Sequence, residues 1–100
     1  MGSDIQSLIA AGGPVLIDFY SQQCPACKLT TPVITEIQKT YEGKIDVLLI
    51  EARTVPTLRK HFNIKYVPTF LAIKDGKEQG RLVGNVRSQD LEALAERLNG

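Results

Sequence analysis

The chain has no tryptophan, one histidine and only two cysteines in 100 residues. Two cysteines are too few for the disulfide framework of a small secreted scaffold. With one histidine, a four-ligand zinc site would need side chains the sequence scarcely has. Charge of either sign is also lacking in surplus: 12 basic side chains face 11 acidic ones, for a formal net charge of +1. So small a balance argues against a surface that tracks nucleic-acid phosphates. No apolar run approaches the ~18 residues that cross a bilayer, so no membrane helix is expected. Disorder would need fewer than the 43% hydrophobic residues present and a larger charge imbalance. The length suits one core, and residues 1–100 read as a single domain. Met1-Gly2-Ser3-Asp4 has no basic stretch and no long apolar run after it, unlike an export signal. The expected location is the cytoplasm, with an exported protein that has lost its signal as the alternative.

Apolar periodicity predicts the elements. Asp4 can cap a short helix with Ile5, Leu8 and Ile9 on one face, ended by Gly12-Gly13-Pro14. Val15 to Tyr20 is apolar except for Asp18, the pattern of a central strand covered on both faces. A helix is expected from Pro25 to Tyr41, with Leu29, Val33, Ile37 and Tyr41 as its inner stripe. Pro25 suits its first turn, Pro32 falls within it and Gly43 caps its end. Ile45 to Glu51 is a second strand, Thr54 to Phe62 a short helix, and Thr69 to Ile73 a third strand. Lys74-Asp75-Gly76-Lys77 is a hairpin turn into a fourth strand, Gln79 to Val83. Ser88 is expected to cap a last helix lined by Leu91, Leu94 and Leu98. The order α-β-α-β-α-β-β-α predicts an α/β fold: a central mixed sheet, part parallel and part hairpin, with helices on both faces.

Both cysteines lie in Cys24-Pro25-Ala26-Cys27, at the junction of strand and helix. Cys24 takes the cap position, where first-turn amides and the helix dipole favour a thiolate. Cys27, one turn on, is within its reach and shielded. One sulfur can attack a disulfide and the other can resolve the mixed disulfide. The alternatives are a metal half-site using His61 and a carboxylate, or a structural disulfide. The latter would close too small a ring to remove much unfolded-state entropy. Asp18 interrupts an apolar strand six residues before Cys24. A buried carboxylate there should have a raised pKa and can accept the Cys27 proton; the alternative is a solvated Asp at a frayed strand end. Pro68, in Val67-Pro68-Thr69, is either a trans proline opening a strand or a cis proline that exposes the Val67 backbone to an extended peptide. On cis-proline frequency alone the trans form is preferred. His61 is expected at the surface, and Lys28 either adds positive potential near the thiolate or is simply solvated.

In order and spacing, Ile17-Asp18-Phe19-Tyr20, Cys24-Pro25-Ala26-Cys27-Lys28, Pro32, Val67-Pro68-Thr69, Lys74-Asp75-Gly76 and Val83-Gly84 resemble the thioredoxin family from about Val15 onward. The resemblance implies a thioredoxin fold and dithiol–disulfide exchange with protein substrates. It implies Cys24 as nucleophile, Cys27 as resolving thiol, Asp18 as buried acid/base, and Pro68 as a cis proline facing the cysteines. Val67, Pro68, Gly84, Gln23 and Tyr66 would contact the substrate. No bound cofactor or metal is implied; the redox group is the cysteine pair, and a separate reductase would recycle it. A monomer that binds neither nucleic acid nor membrane is expected. The departures bear on redox poise and partner choice. The family's first strand has no counterpart in so short a lead, which implies a four-stranded sheet. Gln23 replaces the usual tryptophan, Pro25-Ala26 replaces Gly-Pro, and Tyr66 stands where a small residue is usual. The lysine often found beside the buried aspartate is absent, with Leu49 near its register. The altered dipeptide is expected to make the disulfide more oxidising, and Asp18 to titrate above an ordinary carboxylate. The leading reading is a protein-disulfide reductase. A disulfide oxidant or isomerase, and a non-catalytic binding module on the same fold, are the alternatives.

Overall fold

The computed structural model describes residues 2–99, with side chains from Ile5 onward. In chain order the elements are α1 (Gly2–Ala10), β1 (Val15–Tyr20), α2 (Pro25–Thr40), β2 (Asp46–Glu51), a 3-10 turn (Ala52–Thr54), α3 (Pro56–His61), β3 (Thr69–Lys74), β4 (Lys77–Val83) and α4 (Ser88–Asn99). The four strands form one sheet in the order β2-β1-β3-β4. β1 runs parallel to β2 and antiparallel to β3, and β3 and β4 form the hairpin. The mixed sheet with helices on both faces is the one the element order implies.

Period-two alternation divides the two apolar strands β1 and β3 between two cores. Val15, Ile17, Phe19, Leu71 and Ile73 face one side, where Ile5, Leu8 and Ile9 of α1 and Leu58 of α3 pack. Leu16, Phe70 and Ala72 face the other, against Ile34 and Ile37 of α2 and Leu91, Leu94 and Leu98 of α4. Asp18 follows Leu16 by two residues and so points to the α2 side. The apolar run of β1 therefore has one polar break, and that break lies beneath the helix that carries the cysteines.

Several boundaries differ from expectation for local reasons. The helix expected over 54–62 is α3, which starts at Pro56 because Val55, held before it, is outside helical geometry at φ −130° and ψ 62°; the 3-10 turn Ala52–Thr54 precedes it. β2 begins at Asp46, since the Ile45 amide bonds back to the Tyr41 carbonyl at 2.9 Å and closes the turn after α2. β4 begins two residues early: Asp75 and Gly76 both have positive φ (57° and 73°), so the tight turn sets Lys77 directly opposite Lys74. Ser88 is the first residue of α4, not its cap. The Arg87 carbonyl takes the amides of Asp90 and Leu91, and the Arg87 guanidinium pairs with Asp90 at 3.0 Å. α1 begins at Gly2, ahead of the expected start, and the side chain of Asp4 lies outside the described residues.

Leu29 is the clearest correction. It was expected in the core and is 71% exposed, while Cys27, Thr30, Ile34 and Ile37 form the buried stripe of α2. A strict four-residue spacing overshoots each helical turn by about 40°, so two steps back from Ile37 carry Leu29 about 80° off the inner face. Leu16→Ala is expected to cost about 2–5 kcal/mol, through lost burial and a cavity. Leu29→Ala should stay within about 0.5 kcal/mol of the parent. Urea unfolding of the two variants checks the assignment.

Candidate active site

The site forms where β1 ends and α2 begins. Cys24 has extended backbone (φ −101°, ψ 108°) and caps the helix, with Pro25 following as its first residue. Proline there costs no hydrogen bond, because first-turn amides have no carbonyl partner within the helix. The Cys27 amide donates to Cys24 Sγ at 3.1 Å. Cys24 and Cys27 are joined as a disulfide, with Cα atoms 5.2 Å apart. Cys27 is 4% exposed and Cys24 more open, so one sulfur faces outward and the other inward. No carboxylate lies in the first turn of α2 to oppose a negative charge on Cys24. The Cys27 carbonyl accepts the hydroxyls of Thr30 at 2.9 Å and Thr31 at 3.1 Å, tying the turn below the disulfide.

Asp18 is 2% exposed and its Oδ1 has no hydrogen-bond partner among the described residues. Burial alone pushes its carboxyl up from 3.8 to about 7. In the sheet it stands opposite Leu49 on one side and Phe70 on the other, so no cation on a neighbouring strand offsets its desolvation. A cavity of about 370 Å³ brings Asp18, Cys27, Lys28, Tyr20, Thr31 and Leu49 together. The carboxyl and the inner sulfur therefore line one recess. Lys28 sits on its rim, exposed. Thr31 and the neighbouring Ser21, which also lines the recess, carried no sequence signal, being ordinary polar residues on a helix and in a loop.

The Val67–Pro68 bond is cis. The Pro68 carbonyl accepts the Gly84 amide at 2.8 Å, which joins the Val67-Pro68 turn to the end of β4, and Gly84 itself has φ +86°. Thr69 Oγ1 donates to the Tyr66 carbonyl at 2.6 Å. Among the described residues, neither the amide nor the carbonyl of Val67 has a hydrogen-bond partner. Tyr66 is 69% exposed. Gln23 is exposed, and its amide donates to Ser21 Oγ at 3.4 Å. His61 stands apart, exposed, with its ring edge-on to Phe62 at 4.7 Å. Among the described residues no three His, Cys, Asp or Glu side chains gather as a metal site would require.

A disulfide at a helix start, with a buried carboxylic acid lining the same recess as its inner sulfur, is suited to exchanging dithiols for disulfides, and this is a thiol–disulfide oxidoreductase domain. The thioredoxin family model matches residues 3–97, and the chain belongs to that family. It is 32% identical over 92 residues to thioredoxin 1 of Nostoc sp., which covers 92% of this chain and 86% of the relative. Against the chloroplastic thioredoxin M-type of Spinacia oleracea it is 36% identical over 84 residues, 84% of this chain and 46% of the relative. The chain thus spans about half the length of that chloroplastic relative. A thioredoxin from Plasmodium falciparum superposes with a TM-score of 0.86 at 28% identity, covering 95% of this chain and 91% of that one. The redox group is the chain's own Cys24–Cys27 disulfide.

Proposed function

We propose that residues 1–100 act as a single-domain protein-disulfide reductase. The observation that carries this reading is the shared recess of Asp18 and Cys27 beneath a Cys24 that caps a helix. In the dithiol form, the Cys24 thiolate attacks one sulfur of a substrate disulfide. A Cys24–substrate bond forms and the first substrate thiolate leaves. Asp18 takes the proton of Cys27, whose sulfur then attacks Cys24 and expels the second substrate thiolate. The chain ends as the Cys24–Cys27 disulfide, two electrons poorer, and the substrate has gained both. Electrons for the next cycle come from a separate reductase, with no bound cofactor on this chain.

The substrate lies as an extended segment along Val67 and Pro68, with Gly84, Tyr66 and Gln23 at its sides. The unpaired amide and carbonyl of Val67 support this, because they offer strand-like hydrogen bonds to a peptide. The protein works as a monomer in the cytoplasm, where thiols are kept reduced. Reduction of insulin by dithiothreitol tests the reading. The chain should accelerate it well above background, whereas an adaptor with idle cysteines would leave it at background.

The dipeptide between the cysteines favours a shift in poise. With proline at the first helical position and not the second, neither Ala26 nor Cys27 lacks an amide, and the Cys27 amide donates to Cys24 Sγ, which stabilises its thiolate and the reduced form. Equilibration with a glutathione buffer should give a potential above the ~ −270 mV of thioredoxin; a value at or below it would refute this point and leave the exchange chemistry standing.

A further inference from the structure

The near-zero net charge conceals an uneven distribution. From Ala52 to Val67 there is no carboxylate, while Arg53, Arg59, Lys60 and Lys65 are all cationic. Three of these, Arg53, Arg59 and Lys65, meet Ser21, Tyr66 and Val67 around a second cavity of about 200 Å³. Their states differ. Arg53 is committed to Glu51, with both its Nε and Nη2 on the same carboxylate at 3.1 and 2.8 Å. Arg59 donates from Nε to the Ile64 carbonyl at 3.2 Å, which fixes the guanidinium without neutralising it. Lys65 is exposed and pairs with no carboxylate among the described residues. The cavity therefore holds two uncompensated positive charges.

Its position gives those charges a use. Ser21, on its wall, accepts the Cys24 amide at 3.2 Å, and Val67 is the residue whose backbone is open to an extended peptide. Side chains of an extended peptide alternate between faces, so a segment paired with Val67 turns every second side chain toward the protein. We infer that this basic cavity selects disulfide substrates with a carboxylate side chain a few residues from the reacting cysteine, bound by Arg59 and Lys65. The inference rests on the reductase reading and names the substrate class for the same site. Because both cations stay hydrated, the selection acts chiefly on encounter and is screened by salt.

Rates of reduction by the dithiol form of the full chain test it. The substrates are three peptide disulfides with capped ends, identical but for Glu, Gln or Lys at one position near the cysteine. At low ionic strength the Glu peptide should react about tenfold faster than the Lys peptide, with Gln between them. The ratio should fall toward one as salt rises to about 0.5 M. Lys65→Glu should abolish or invert the preference, and a ratio taken on one preparation does not depend on how much of it is folded. Equal rates for the three peptides at low salt would overturn the inference and leave the reductase reading intact. A preference that survives both high salt and Lys65→Glu would overturn it equally. Failure of every peptide to react would overturn both.

Discussion

Asp18→Asn is expected to stabilise the oxidised protein at pH 8 by about 2–4 kcal/mol and to change it little at pH 3.5. Burial raises the Asp18 carboxyl from 3.8 to about 7. Well below the unfolded value of 3.8 the carboxyl is protonated in both folded and unfolded chains, and its contribution to stability is fully present. As pH rises from about 4 to 7 the unfolded chain loses the proton while the folded chain keeps it, so stability falls. Above the folded pKa both states are ionised and the loss is complete, at about 4 kcal/mol for a separation of about three pKa units. Asparagine does not titrate and so escapes this loss, less whatever its own buried amide leaves unpaired. Guanidinium unfolding of both proteins across this pH range measures it. Identical stabilities at pH 8 would mean that the carboxylate is solvated or paired in the folded chain. The same substitution should slow disulfide reduction near neutral pH by on the order of 10²-fold, since Cys27 would lose its proton acceptor. A stabilised but slower variant is the expected mark of a buried group kept for chemistry.

The cysteine variants carry the second large effect. Cys24→Ser should lose on the order of 10³-fold or more in insulin reduction, because a hydroxyl at the helix cap cannot supply the attacking thiolate. Cys27→Ser should also fail to turn over, but differently. Cys24 still attacks, no resolving thiol follows, and the substrate remains attached through a disulfide. The two variants therefore separate under non-reducing electrophoresis: Cys27→Ser accumulates dithiothreitol-sensitive adducts and Cys24→Ser does not. The reverse pattern would exchange the roles of the two sulfurs, against the 4% exposure of Cys27.

Much of this site is legible in the chain alone because its parts are local breaks in local patterns. Asp18 is visible as the one polar residue in the apolar run of β1. The cysteine pair is visible at a helix start, and the hairpin follows from Asp75 and Gly76, residue types that accept positive φ. What depends on three-dimensional assembly is not legible. Leu29 looks like core by spacing, and only the helix's orientation on the sheet shows it facing solvent. The pairing of Asp18 with Leu49 needs the parallel register of β1 and β2. Two strands joined by a helix fix the sense of pairing but leave the order of all four open. Arg59 and Lys65 come from α3 and the loop after it and read as scattered surface charges, until the fold sets both beside Val67. Pro56 marks the first turn of α3 in the sequence, but the 3-10 turn Ala52–Thr54 before it has no such signal.

The central claim is that backbone amides at the start of α2 hold the Cys24 sulfur ionised at neutral pH. The rate of iodoacetamide alkylation of the reduced protein, followed against pH and resolved to Cys24 by peptide mapping, tests it most directly. The account predicts half-maximal reactivity well below the ~8.5 of free cysteine, with Cys27 unreactive over the same range. A midpoint at or above ~8.5 for Cys24 would contradict it.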